Sequence, residues 1–389
     1  MERPLRVLMV CPRYLPEFGG TEMHVHEVTR RLSALGGFEI TVLTTDRSRR
    51  LPREEVVEGI SVLRVPAWPR RRDYYLAPGI AAVIRRRGWD LVHCQGIHNL
   101  VPLIAMISAR QADIPYLVTF HTGGHSSRLR NAMRTTQWRL AGPLLRNAVS
   151  LIAVSRFEAA ALTQQARLGD SRVMVIRNGG TLPPPGPGTV AVPGRIVSSG
   201  RLVRYKGHQR VIEALPYVMR DIPEAHLLIL GSGPYKRDLY ELARHLGVYD
   251  RVSIEHVAPA DRQGMATALA GSCVVAALSD YEANPVAVME ALSVGRPVVG
   301  HDVAGLGELV AAGWVRGVPR GGPAATVARE LVTAMSSPSL VDCAQLPSWD
   351  SCADQLAHVY LSSLGIAAAS RTLRTRDAVG QPDRDGTGR

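Results

Sequence analysis

Short apolar runs of strand length recur along this 389-residue chain, each closed by a turn residue and most followed by a stretch with helical spacing. That alternation restricts the fold more than any other feature. The first run, residues 5–11, stops at Pro12; runs at 39–45, 60–65, 90–94, 116–121, 151–155 and 172–178 follow it, with helices predicted over 74–87, 99–110 and 128–146. Strands that are apolar without a polar face are buried on both sides. Strands alternating with helices imply a parallel sheet covered by helices on both faces. A second series begins after TLPPPGPGTVAVPG, which has no period and reads as a linker. It comprises strands at 195–199, 226–230, 251–257, 273–278 and 297–300, a helix after Gly207 and another from Pro285. The spacing therefore predicts an α/β chain of two doubly wound parallel-sheet domains. Their expected spans are 1–182, a linker at 183–194, and 195–345. A helix at 346–365 is expected to dock back on the first domain, and a polar tail at 366–389 to be disordered.

In open parallel sheets, ligands lie at the carboxyl ends of the strands, so residues at those ends are the candidates. Gly19 and Gly20 follow the first strand and precede a helix that Thr21 can cap, with His24, Val25, Val28 and Leu32 at helical spacing. Missing side chains there let backbone N–H groups approach a phosphate, although a glycine pair is equally an ordinary loop. His121 ends the strand in VTFHTGGH and should reach the crevice, with His125 behind it. Arg201 and Lys206 flank a strand-to-helix turn in GRLVRYKGH, where two cations could neutralise a diphosphate or simply be solvated. Glu282 and Glu290 stand eight positions apart in EANPVAVMEALSVGRP. Asn284-Pro285 opens the helix, since proline loses nothing in a first turn, and Gly295 with Pro297 ends it. A helix start suits an anion, and two acceptor-only carboxylates beside it suit hydroxyls. A nucleotide sugar carries both.

These blocks resemble, in the same order, those of the retaining GT-B glycosyltransferases of glycosyltransferase family 4. The resemblance covers about residues 5–365 and is carried by GGTEMHVH, VTFHTGG, AVSRFE, GRLVRYKG and the E-x7-E block EANPVAVME. It implies a cleft between two facing domains. It implies a reaction that moves a sugar from a UDP- or GDP-sugar to an acceptor hydroxyl with retention of configuration. It implies that Glu282 and His121 contact the donor sugar, Glu290 the ribose, Arg201 and Lys206 the diphosphate, and Gly19 and Gly20 the diphosphate and acceptor. Asn284 and Pro285 fall in the same binding block. The loop after Val257 would meet the base. The chain departs from the family at Ala283-Asn284, where Gly-Phe is commoner, at Arg177, where proline is usual, and in AGLGE ending at Glu308.

Composition narrows the partners. No apolar run reaches the ~20 residues of a bilayer span, and five scattered cysteines suggest reduced thiols in a cytoplasmic protein. A net charge of +12 favours anionic partners. Aromatics are 5% and not interleaved with the basic residues, which argues against a nucleic-acid binder. The missing G-x-G-x-x-G after the first strand argues against a dehydrogenase. An epimerase sharing the cleft is the remaining alternative. No metal or other cofactor is expected: the only D-x-D considered, Asp383-Arg384-Asp385, lies in the tail. Between Asp113 and Glu158 there is no acidic residue. The arginine-rich helix there, with Leu129, Met133, Trp138, Leu140 and Leu144, would suit an anionic membrane surface and a lipid-linked acceptor. Packing on the domain core with a soluble acceptor is the competing expectation.

Overall fold

The computed structural model describes residues 3–17, 19–70, 75–86, 88–122, 128–168, 173–339 and 341–366. His125, Asp383-Arg384-Asp385 and the tail beyond Ile366 lie outside them.

The first half runs β1 (Leu5–Val10), α1 (Gly20–Leu35), β2 (Phe38–Asp46), β3 (Glu54–Val57), β4 (Ile60–Pro66), α2 (Gly79–Arg86), β5 (Leu91–Gln95), α3 (Leu100–Gln111), β6 (Tyr116–Thr119), α4 (Arg128–Asn147), β7 (Ser150–Ala153), α5 (Arg156–Gln165) and β8 (Val173–Val175). Its sheet has the order β3-β4-β2-β1-β5-β6-β7-β8. Every pairing is parallel except β3 with β4. The second half runs β9 (Arg195–Ser199), α6 (His208–Asp221), β10 (His226–Leu230), α7 (Lys236–His245), β11 (Val252–Glu255), α8 (Arg262–Ala270), β12 (Val274–Ala277), α9 (Val286–Ser293), β13 (Val298–His301), α10 (Ala304–Ala311), β14 (Arg316–Val318), α11 (Ala324–Ser336) and α12 (Trp349–Ser363). Its sheet is parallel throughout, in the order β11-β10-β9-β12-β13-β14. Two parallel-sheet α/β domains therefore carry the chain, each with an apolar core on both faces of its sheet.

Chain direction across each sheet reverses once, between β1 and β5 in the first and between β9 and β12 in the second. Those reversals open crevices at the carboxyl ends of the strands. Three local expectations differ from the structure. The first helix begins at Gly20 with Gly19 as its cap residue, so Thr21 lies inside it. The helix expected from residue 74 begins at Gly79. The short strand β3, unforeseen, pairs antiparallel at the sheet edge.

Helix α12 leaves the second domain and packs on the first. Ser348 caps it, accepting from the Ser351 N–H. Trp349, Cys352, Leu356 and Tyr360 recur at helical spacing and join the core beneath α1. The chain junction is tight: a Cβ on Gly180 would stand 2.1 Å from the Met289 Cβ, so no larger residue fits between the domains there. The described part of helix α4 turns most of its apolar side chains inward. Trp138, Ala141 and Leu145 are buried in the first-domain core, Leu144 packs against it, and Leu140 is left exposed. Burial of Trp138 removes the main apolar anchor that a membrane-facing α4 would need; the side chains of Leu129 and Met133 are not described.

Candidate active site

The second-domain wall is built at its strand-order reversal, where the loops leaving β9 and β12 lie side by side. After β9 the backbone makes one 3-10 turn over Arg204–Lys206 and reaches Gly207 at φ 78. A Cβ on Gly207 would lie 1.9 Å from the Leu278 carbonyl oxygen, so only glycine lets this turn press against the end of β12. The Asp280 N–H donates to the Tyr205 carbonyl at 2.7 Å and locks the two loops together. Lys206 and Glu282, far apart in sequence, then meet: Nζ donates to Oε1 at 2.5 Å. Ser279 Oγ donates to the same oxygen at 2.8 Å. Arg201 is exposed beside them, with Nη2 donating to the Tyr205 hydroxyl at 2.7 Å.

Helix α9 continues this wall. Pro285 is the cap residue, one place before the first helical residue, with an extended backbone. Glu290 is buried one turn further in and is ion-paired with Arg262, the first residue of α8. Burial pushes its carboxyl up, and Arg262 pulls it back down. Asn284 faces elsewhere: its Nδ2 donates to the Val154 carbonyl of the first domain at 2.9 Å.

On the facing wall, Gly19 caps α1 with an extended backbone. The Glu22 carboxylate occupies the space above it, with Oε2 2.5 Å from where a Gly19 Cβ would be. Arg13 pairs with Glu22 at 3.0 Å. Burial raises the Glu22 carboxyl, while Arg13, its own backbone N–H and Arg201 from the opposite domain lower it. A carboxylate thus covers the helix start at which backbone N–H groups were expected to face a phosphate.

His121 lies just past β6. Its Nε2 is 2.8 Å from Gln95 Oε1 at the end of β5, and His24 meets its ring edge-on with centroids 4.7 Å apart. Burial, reinforced by His24, His98 and His93, holds its pKa well below the usual histidine range, so it is neutral near pH 7.

A linked set of contacts absent from the sequence reading reaches across between these walls. Glu158, wholly buried, accepts from the Thr122 N–H and hydroxyl at 2.6 Å each and from the Val154 N–H at 2.8 Å. Backbone donors compensate a buried carboxylate in this way. Thr122 Oγ1 in turn lies 2.9 Å from the Tyr281 hydroxyl across the cleft. Thr122 follows His121 and Tyr281 precedes Glu282, so this bond joins the loops that carry His121 and Glu282 on facing walls. The AVSRFE block gave no sign of this role for Glu158, because its partner Thr122 is 36 positions away.

Residues 18–180 match the family described as Glycosyltransferase Family 4, and residues 192–326 the family described as Glycosyl transferases group 1. The chain belongs to the GT-B glycosyltransferases of the family 4 type. The glycogen synthase of Mycobacterium tuberculosis is 29% identical to this glycosyltransferase over 79% of this chain and 80% of its own. Among solved structures, sucrose-phosphate synthase from Thermosynechococcus elongatus superposes with a TM-score of 0.76 at 21% identity, covering 93% of this chain and 100% of that one. HepE of Anabaena, in complex with UDP-glucose, gives 0.68 at 21% identity over 93% and 97%. Both solved structures share the two-domain GT-B fold with this glycosyltransferase.

Proposed function

We propose that this glycosyltransferase moves a sugar from a nucleoside diphosphate sugar to an acceptor hydroxyl with retention of anomeric configuration. The observation that carries this reading is the convergence of Arg201, Lys206 and Glu282 at the strand-order reversal of the second domain, beside the start of α9. The donor diphosphate lies there. Its charge is met by the two cations, and Lys206 exchanges Glu282 for a phosphoryl oxygen as it binds. Fixed cations aimed at a leaving group stabilise the charge that develops on it in the transition state. The carboxylate so released, still held by Ser279, accepts from sugar hydroxyls. Glu290 accepts from the ribose, with Arg262 paired to its buried carboxylate and opposing the upward push of burial.

The acceptor enters along the first-domain wall, past Gly20. Glu22 keeps anions from the start of α1, so the diphosphate is placed on the second-domain side. Neutral His121 meets the donor sugar from opposite Glu282. Attack comes on the same face as departure, with the leaving phosphate taking the acceptor proton. HepE was solved with UDP-glucose, which makes a UDP-sugar the first donor to try. The deciding experiment is incubation with UDP-, GDP- and dTDP-sugars and a panel of hydroxyl acceptors, read by mass spectrometry and by the anomeric coupling of the product. Retention with acceptor-dependent release of the diphosphate supports the reading. Consumption of donor that needs no acceptor and changes only its sugar points to an epimerase instead.

A further inference from the structure

Behind His121 a line of buried side chains crosses from the cleft to the C-terminal helix. His121 Nε2 meets Gln95 Oε1 at 2.8 Å, Gln95 Nε2 meets His93 Nε2 at 3.1 Å, and His93 Nδ1 meets the Tyr360 hydroxyl at 2.7 Å. Thr119 Oγ1 is 2.7 Å from the same His93 Nε2. Gln95, His93, Thr119 and Tyr360 have no solvent exposure at all. His93 and Gln95 are two apart on β5 and so share one face of the strand. Tyr360 lies on α12, the helix that arrives from the other domain.

The protons along such a line cannot be set independently. A carboxamide oxygen only accepts and its nitrogen only donates. Burial holds both His93 and His121 below the usual histidine range and raises the Tyr360 phenol, so each imidazole carries one N–H and the phenol keeps its proton. Two settings satisfy every contact, and they are mirror images: turning the Gln95 amide over moves the proton to the other nitrogen in both rings. Met9 chooses between them. Its sulfur lies against Gln95 Nε2, and a thioether accepts but does not donate. The nitrogen end of the amide therefore faces Met9 and His93, and the oxygen end faces His121. His93 then accepts at Nε2 and carries its proton at Nδ1, directed at the Tyr360 oxygen. His121 carries its proton at Nε2, directed at Gln95.

We propose that Gln95 is a positioning residue that holds His121 as the Nε2–H tautomer, and that Tyr360 on α12 fixes the far end of the same hydrogen-bond line through His93. His121 then presents a bare Nδ1, so it takes a hydrogen bond from a hydroxyl and gives none. With the sugar contact assigned to His121 above, on which this part rests, the tautomer decides which hydroxyl orientation the donor must adopt. It also makes α12 a support for the cleft as well as a strap between domains.

The test is a two-bond proton–nitrogen correlation spectrum of the full chain labelled with 15N-histidine, with no sugar nucleotide added, at pH 7.5. His93→Gln and His121→Asn assign the two signals. The expected spectrum shows His121 protonated at Nε2 and His93 at Nδ1. Gln95→Leu should release His121 to a mixture of tautomers and lower kcat on the order of a hundredfold, as loss of fixed geometry does. Tyr360→Phe keeps the packing of α12; it should move the His93 signal and, through Gln95, split that of His121. His121 protonated at Nδ1 in the wild type, or a His121 signal unmoved by both variants, overturns the proposal. A changed tautomer in Gln95→Leu with unchanged kcat leaves the hydrogen-bond line in place and overturns the assignment of His121 to the sugar.

Discussion

Arg177 Nη2 donates to Glu308 Oε2 at 2.5 Å across the boundary between the two domains. The other oxygen of Glu308 accepts from the Phe157 N–H, also at 2.5 Å. One second-domain carboxylate therefore holds two points of the first domain. Arg177 stands where the family usually has proline, and Glu308 closes a block, AGLGE, whose preceding residues depart from the family's Gly-Gly-x-Pro-Glu. The pair is partly exposed, so its strength is discounted for solvent screening. A double-mutant cycle of Arg177→Ala and Glu308→Gln should give a coupling of about 1 kcal/mol in urea unfolding. Strict additivity of the two variants would remove the pair as a tie between domains.

The carboxylates of the E-x7-E block have separable environments, and their variants should separate too. Glu290 is buried and paired with Arg262, whereas Glu282 is at the cleft with Lys206. Glu290→Gln should weaken binding of the free nucleoside diphosphate about tenfold or more, in line with loss of a charge-assisted hydrogen bond. Glu282→Gln should leave that affinity nearly unchanged and lower kcat with the complete donor. Calorimetry reads the first and steady-state kinetics the second. Equal loss of nucleotide affinity in both variants would contradict the assigned roles.

Buried histidines make the fold sensitive to acid. Burial holds His24 and His208 at about 4, below the ~6.5 of an unfolded chain. Above pH 6.5 each is neutral in both states and contributes no pH dependence. Below it the unfolded chain takes up protons first, so stability falls until the pH reaches about 4. Between pH 7 and pH 5 one such histidine costs roughly 2 kcal/mol. His208→Gln should therefore lose about that much less stability than wild type over this interval. Comparing the variant with wild type cancels Glu22 and Glu290, whose raised carboxyls act in the opposite direction. Parallel curves for the two proteins would show that His208 does not titrate as its burial implies.

The fold was legible because parallel strands are apolar on both faces, and their carboxyl ends then named most of the cleft residues. What stayed illegible depends on pairs distant in sequence. Arg177 was visible as an odd residue and Glu308 as the end of an odd block, but nothing in either segment showed that they meet. The role of Glu158 stayed hidden because Thr122, from which its carboxylate accepts, belongs to another loop. The strand β3 escaped notice because residues 54–57 open on two glutamates and form a partly exposed edge. At Gly19 the sequence did not show that Glu22, three residues on, folds its own carboxylate over the helix start. Trp138 could be read as a surface anchor beside its arginine neighbours or as a core residue, and the helix uses its bulk for the core.

The claim on which the account turns is that Arg201 and Lys206 supply the charge that meets the leaving diphosphate. The most direct measurement is turnover of the preferred sugar nucleotide by wild type, Lys206→Ala and Arg201→Ala, each assayed with EDTA and with added manganese or magnesium. Removing one such contact costs on the order of 3 kcal/mol in the transition state, or about a hundredfold in kcat. The account predicts a loss of about that size in each variant, with thermal stability preserved and wild-type turnover unaffected by EDTA. Near-normal kcat in both variants, or wild-type activity abolished by EDTA and restored by the metal, would contradict it.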